Sequence, residues 1–198
     1  DSYLFKDVLR VDTVGKPDML VKLLKALAYQ IGNQISYNEI AQLVGMDSKT
    51  VEKYIDILEQ SYIVFRLGSY SRNLRNELKQ SKKIYFYDLG VRNALIGNFS
   101  PIKSRLHVDA GALWENFAIV ERMKRNSYQE YYCQSYFWRT QQQQEIDYVE
   151  ERNGQLKAFE FKWNENKTPK CPTTFATAYP ETEFQVISPK NIEMFILE

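Results

Sequence analysis

The dipeptide Asn153-Gly154 sets the strongest single constraint on how this chain can fold. Both residue types tolerate the left-handed backbone that a two-residue hairpin turn requires. The stretches on either side, 145–150 and 156–163, are rich in β-branched and aromatic residues, which predicts two antiparallel strands joined by a tight turn. Period-two alternation then puts Glu160 and Lys162 on one face of the second strand and Phe159, Phe161 and Trp163 on the other, as aromatic core. Pairing brings Asp147 of the first strand near the two charges. An aromatic run over 131–139 predicts a further strand, and Leu113, Phe117, Val120 and Met123 predict a helix over 108–125 that carries Glu115. Residues 172–179 and 183–188 predict a last helix and strand.

An acid on one strand facing a Glu-x-Lys on the next is an arrangement that Mg²⁺- or Mn²⁺-assisted phosphodiester hydrolysis can use. Asp147 and Glu160 present hard oxygen ligands to an octahedral cation that keeps some of its waters. Lys162 helps position or deprotonate the attacking water and stabilises phosphorane charge, while Glu115 completes the metal site or orients a water. The expected catalytic residues are therefore Glu115, Asp147, Glu160 and Lys162, with Glu115, Asp147 and Glu160 as metal ligands. A competing reading makes them ordinary charges on a solvated strand face. The alternation with aromatic residues favours the first, because it sends both charges toward one point.

Composition narrows the alternatives. The 198 residues carry 26 Lys and Arg against 25 Asp and Glu, a net charge of +1, so affinity for nucleic acid must come from local clustering. The chain is 44% apolar and 14% aromatic, as a folded, strand-containing protein is. Cys133 and Cys171 are too few and too far apart for a disulfide scaffold or a thiolate zinc site, which points to a reducing, cytoplasmic setting. Cys133 reads as a small core residue, and Trp114 and Trp138 as packing residues. One histidine, His107, excludes chemistry that needs two imidazoles, so a metal would sit on carboxylates. No Gly-x-x-x-x-Gly-Lys-[Ser/Thr] occurs, so these residues are not expected to bind ATP. No apolar run approaches the roughly 20 residues that span a bilayer, and no membrane partner is expected. The start, Asp1-Ser2-Tyr3, has neither a signal-peptide pattern nor an initiator Met, as in a fragment of a longer protein.

In the first half the hydrophobic period is helical. Leu20, Leu23, Leu24, Leu27 and Ile31 predict a helix over 19–31, stopped by Gly32 and Asn33. Ser36 with Glu39 forms a capping box that opens a short helix ending at Gly45. Asp47 or Ser48 caps a third helix, 49–60, with Val51, Tyr54, Ile55 and Leu58 inward. This order is a helix-turn-helix, whose last helix enters a major groove by its N-terminal residues, here Ser48, Lys49, Thr50 and Lys53. Segments 62–67 and 84–87 predict strands that pair as a wing across a 16-residue connection, 68–83. From Arg66 to Arg105, nine basic side chains, among them Arg66, Arg92 and Arg105, stand against only Glu77 and Asp88. Lys49, Thr50, Lys53, Arg72, Arg75, Lys82 and Lys83 are the expected DNA-binding residues, with Tyr70, Tyr85 and Tyr87 placed to stack on bases. Arg139 is a further candidate for a phosphate. Residues 100–104 read as a linker.

Several segments together carry a family likeness. They are Tyr3-Leu4 with Asp7-Val8, Ala26-Leu27-Ala28, Ile35-Ser36-Tyr37, Lys49-Thr50-Val51 with Tyr54, Ile57-Leu58-Glu59 and the run from Lys83 to Gly90. Further on come the run from Gly111 to Phe117, Trp138-Arg139, Glu145-Ile146-Asp147 and Glu160-Phe161-Lys162. With these the chain resembles the C-terminal region of a widespread prokaryotic family of AAA+ ATPases whose distal part is a domain of unknown function. The resemblance implies the end of an ATPase module at 1–16, a winged helix-turn-helix at 17–97 and a PD-(D/E)xK nuclease-like domain at 98–198. The implied fold class is α/β, α+β overall, with a restriction-endonuclease-like mixed sheet in the second domain. Glu115, Asp147, Glu160 and Lys162 match the nuclease pattern. The implied function is a DNA-associated region of the ATPase that hydrolyses DNA with Mg²⁺ or Mn²⁺; the alternative is a non-catalytic module that binds nucleic acid or protein. ATP would bind only the N-terminal module of the parent protein, itself an expected partner beside DNA and other proteins.

Overall fold

Leu20, Leu23, Leu24 and Leu27 fall on one side of helix α1 (Pro17–Tyr29), and all four are buried. The computed structural model describes residues 17–71, 82–105 and 107–197. The chain divides into two units: Asp1–Arg66 with Ser81–Phe99, and Leu67–Gln80 with Ser100–Glu198. Among the described residues seven strands pair in both parallel and antiparallel senses and, with seven α-helices, make an α+β protein.

In the first unit, α1 stops two residues earlier than its hydrophobic period suggests. Ile31 is still buried, but it sits in the turn that Gly32 makes at φ 74°. A two-residue strand, β1 (Gln34–Ile35), leads to α2 (Tyr37–Val44), where the Ser36 hydroxyl accepts from the Glu39 N–H and Gly45 ends the helix at φ 77°. Asp47 caps α3 (Ser48–Gln60) by accepting from both the Thr50 N–H (2.9 Å) and its hydroxyl (2.6 Å). The chain then enters β2 (Val64–Ser69), which crosses from the first unit into the second, and returns as β3 (Lys82–Phe86). β3 lies between β1 and β2, antiparallel to β1 with Ile35 opposite Lys82. Val51, Ile55 and Leu58 of α3 join Ile84 and Phe86 of β3 and the α1 leucines in one core.

One helix of this unit has no counterpart in the hydrophobic pattern. α4 (Leu89–Ile96) runs between the Asp88 cap, which accepts from the Gly90 and Val91 N–H groups, and Gly97 at φ 66°. It brings Arg92 inward, where Nε donates to the Ala28 carbonyl at 2.9 Å and so satisfies the C-terminal end of α1.

In the second unit, the expected linker contains a turn of 3-10 helix (Ile102–Ser104). α5 (His107–Tyr128) is longer than expected and buries Ala118 and Ile119. Strands β4 (Gln134–Arg139), β5 (Glu145–Arg152) and β6 (Gln155–Phe161) follow. Asn153 and Gly154 take φ values of 54° and 80°, the left-handed pair of a two-residue hairpin turn. β4 pairs parallel with the end of β2 through Gly68 and Ser69 and antiparallel with β5, which pairs antiparallel with β6. α6 (Thr173–Ala178) crosses to β7 (Glu183–Ile187), parallel to β6, and α7 (Ile192–Leu197) closes the described chain. Trp138, Ile146, Val149, Ala158 and Phe175 form a core cluster, and Phe195 packs its ring on Phe159 and Phe161. Among the described residues no helix is long and apolar enough to cross a membrane.

Candidate active site

A register shift in the β4–β5 ladder places Asp147. Val149 pairs with Tyr136 and Ile146 with Trp138, so two residues of β5, Asp147 and Tyr148, stand against one of β4. Such a bulge kinks a strand and re-aims its side chains. On the other side of β5 the regular pairs with β6 end at Tyr148 opposite Phe159. Beyond that point the Phe161 N–H is received by the Asp147 carboxylate, Oδ2 at 2.8 Å. Lys162, one residue past β6, anchors its own N–H on the Ile187 carbonyl. Its Nζ lies 2.6 Å from Glu160 Oε1 and 3.8 Å from Asp147 Oδ2.

Two carboxylates thus share one ammonium in a partly dry place. The Glu160 side chain is 15% exposed. Burial, and then the neighbouring Asp147 charge, push its carboxyl from the ordinary 4.5 up to about 7, against the pull of Lys162. For Lys162, burial favours the neutral amine, but the charges of Asp147, Glu160 and Glu115 outweigh it, and the ammonium is held more firmly than in water.

Beside this cluster opens a cleft of about 500 Å³ lined by Glu115, Asp147, Lys162, Trp163, Asn164 and Lys167 among others. Glu160 is not among the residues that line the cleft; it accepts from Lys162, which is. The expected three-acid metal cage is not assembled. Among the described residues no group of three His, Cys, Asp or Glu stands close enough to hold an ion. In its place Lys162 donates to Glu160, and Asp147 Oδ2 accepts from the Phe161 N–H. Asp147 and Glu160 remain a pair of hard oxygen donors, and that donor set fits Mg²⁺, which needs one or two carboxylates and keeps several waters.

Residues outside the expected set also contribute. Trp163, expected in the core, is half-buried and lines the cleft, its ring 5.7 Å from that of Trp114. Lys167 and Asn164 lie in the polar stretch after β6, where no periodic pattern points to them. Arg139 is committed to Glu145 at 3.0 Å and to Gln143. Cys133 lies just before β4, and its thiol, raised by burial to about 11, is not a nucleophile near neutrality.

The DNA-binding set separates into exposed and internal groups. Lys49 and Lys53 are exposed one turn apart on α3, whereas the Thr50 hydroxyl is used in the Asp47 cap. Lys82 is half-exposed, but Lys83 is only 2% exposed, which corrects its assignment to a phosphate-gripping surface. Tyr85 is likewise buried and cannot stack on bases. Three further members of the basic tally are used internally: Arg92 on Ala28, Arg66 on Glu59 and Asp56, and Arg105 on Asp109 and the Ser100 carbonyl. Arg72 and Arg75 lie outside the described residues, and so does the side chain of His107.

Fold and site together define an α+β protein with an acid–lysine cluster on a bulged hairpin. Residues 1–101 match a family model described as a domain of unknown function, DUF8612, and the chain belongs to that family. Residues 110–193 match a second domain of unknown function, DUF4143. Uncharacterised proteins of Mycobacterium tuberculosis and Mycobacterium bovis are each 29% identical over 136 residues, 69% of this chain and 30% of theirs. An uncharacterised protein of Haemophilus influenzae is 24% identical over 102 residues, 49% of this chain and 26% of its own. The chain therefore spans less than a third of the curated relatives it matches. No solved structure matches it.

Proposed function

We propose that this chain is the DNA-associated region of an AAA+ ATPase, and that its second unit hydrolyses DNA phosphodiesters with Mg²⁺ or Mn²⁺. One observation carries the reading: the β5 bulge turns Asp147 toward the Glu160–Lys162 pair at the edge of a cleft that also holds Glu115. A restriction-endonuclease-like hairpin would use its residues in this way. In the first unit, the order α1, β1, α2, α3, β2, β3, with Lys49 and Lys53 exposed on α3, supports a winged helix that holds the duplex. The greater part of each relative lies outside the match, which leaves room for the ATPase module.

Asp147 and Glu160 would hold the ion, which when bound supplies Lewis-acid polarisation of the phosphoryl oxygen. Lys162 swings off Glu160 to meet the charge that builds on the phosphorane, and Glu115, across the cleft, orients the attacking water. The lysine is suited to this because its neighbours keep it protonated. A second reading has its own support. Lys162 is bonded to Glu160 and lies near Asp147, and among the described residues no three acids are grouped to hold an ion, as in a site that binds nucleic acid or protein without cutting.

Plasmid nicking at low salt with Mn²⁺ or Mg²⁺ separates the two. Nicking by the wild-type chain, reduced at least a hundredfold in Asp147→Asn and Lys162→Ala, is the expected outcome. Equal and intact plasmid with all three proteins sinks the catalytic reading and leaves the binding one.

A further inference from the structure

We propose that the cleft beside Asp147 seats one unpaired nucleotide of a DNA single strand, its base against Trp163 and a flanking phosphate on Lys167. The inference rests on reading this cleft as a nucleic-acid site and adds the class of strand that enters it.

Gly111 carries the inference furthest. It stands four residues before Glu115 on α5, hence on the same side of the helix, and both residues line the cleft. Glycine weakens a helix relative to alanine, yet the packing around this position does not demand it. Apart from its chain neighbours and the backbone of its own helix, a Cβ at 111 would meet no described atom within 4 Å. A glycine that relieves no crowding within the protein is explained by a ligand that comes close to the backbone.

Trp163 supplies an aromatic wall. Its neighbour Trp114 is buried, donates its indole N–H to the Ile187 carbonyl at 3.4 Å and packs its ring 5.7 Å from that of Trp163. Trp163 is thus held by a fixed partner while it remains half-buried on the cleft. Every base has a π-face, so such a ring accepts any of them. Of the two cationic residues that line the cleft, Lys162 is bonded to Glu160. The other, Lys167, is exposed at the end of a turn in which its N–H donates to the Asn164 carbonyl and the Asn166 N–H to Asn164 Oδ1, at 3.0 Å each. Glu165, two residues earlier, lies 3.4 Å from Lys190. A strand phosphate therefore meets a cation other than the one bound to Glu160.

The volume of about 500 Å³ falls in the range of pockets that enclose one small molecule. It takes a base with its sugar and is too small for a duplex. A paired base reaches such a space only by leaving its stack, a cost that a single strand largely avoids.

Fluorescence anisotropy of a labelled single-stranded oligonucleotide, with Ca²⁺ in place of Mn²⁺ so that binding is read apart from cleavage, tests the site. Gly111→Leu fills the open space and is expected to weaken single-strand binding at least tenfold while leaving binding of the matching duplex unchanged. Lys167→Gln weakens it several-fold and flattens the slope of log affinity against log salt by about 0.7, whereas Lys167→Arg and the control Lys124→Gln bind like wild type. Because Trp114 and Trp138 are buried, quenching of tryptophan emission by the strand reports Trp163; it is lost in Trp163→Phe with affinity retained. Far-ultraviolet circular dichroism confirms that each variant is folded. Folded Gly111→Leu and Lys167→Gln that bind the single strand like wild type, or a Gly111→Leu loss equal for strand and duplex, overturn the proposal. Plasmid nicking that persists alongside such a result overturns the strand assignment alone, and intact plasmid alongside the expected binding overturns only the cutting.

Discussion

Two of the four acids of β5, Asp147 and Glu150, stand three residues apart, and the molecule treats them in opposite ways. Glu150 is 1% exposed and fully matched, with a bidentate guanidinium from Arg122 and an amide from Asn126. Asp147 shares a single lysine with Glu160, and the cost falls on Glu160, whose carboxyl rises to about 7. A buried acid with its counter-charge and all its hydrogen bonds holds structure together. A pair of acids with one base between them keeps an imbalance that folding alone does not remove, and such imbalance concentrates where chemistry is done.

The same conservative substitution breaks this comparison if it acts alike at the two places. Glu150→Gln removes the acid that, among the described residues, is hydrogen-bonded to Arg122 and leaves a guanidinium buried without that counter-charge, which destabilises by about 3–5 kcal/mol. Urea unfolding midpoints near neutral pH measure this. A loss below about 1 kcal/mol would mean that Arg122 finds solvent or another acid, and that Glu150 does not anchor α5 to the sheet.

Glu160→Gln acts in the other direction. Because the folded carboxyl titrates at about 7, above its ordinary 4.5, folding favours its protonated form. The native advantage of that form is complete below pH 4.5 and is lost as pH rises through 7. A glutamine resembles the protonated acid at every pH. The variant therefore matches wild type near pH 4 and exceeds it near pH 8, by at most roughly 3 kcal/mol at about 1.4 kcal/mol per pH unit. Midpoints measured at both pH values decide it, and a variant that is weaker at pH 8 places Glu160 among the matched acids with Glu150.

How far the sequence discloses this contrast depends on the range of each signal. The caps at Ser36 and Asp47, the stop at Gly45 and the Asn153-Gly154 turn act within a few residues, and each element they delimit is in place. Alternation likewise brings Glu160 and Lys162 together and, through the hairpin, Asp147. The bulge is not legible, because it depends on how β4 and β5 register against each other, and it is the bulge that aims Asp147 at the Phe161 amide. Counting charges fails for a similar reason. Arg92 belongs to the basic tally by position, but its partner is a carbonyl 64 residues away, at Ala28. Lys83 sits in a strand whose two faces cannot be ranked without knowing that β1 and β2 flank it. α4 escapes because its eight residues are too few to display a period, although Asp88 and Gly97 mark both ends.

The smallest effect belongs to an acid outside either cluster, and it sharpens the comparison through its sign. Asp47 is exposed, and bonds from the Thr50 hydroxyl and N–H hold its carboxyl below the ordinary 3.8. Its contribution is therefore complete above that ordinary value and is lost as pH falls through the lowered one, the reverse of Glu160. Asp47→Asn keeps an oxygen for the cap but removes the charge. It should be slightly weaker than wild type near neutral pH and converge on it in acid, as unfolding midpoints across the acid range would report. An Asp47→Asn variant more stable than wild type near neutral pH would instead place Asp47 with Glu160, an acid whose charge the fold opposes. A cap meets its carboxylate with hydrogen-bond donors alone, so its stability can be lost only by adding a proton. The site at Asp147 and Glu160 sets a second carboxylate beside the first, so there the native state gains when a proton, or another cation, is added.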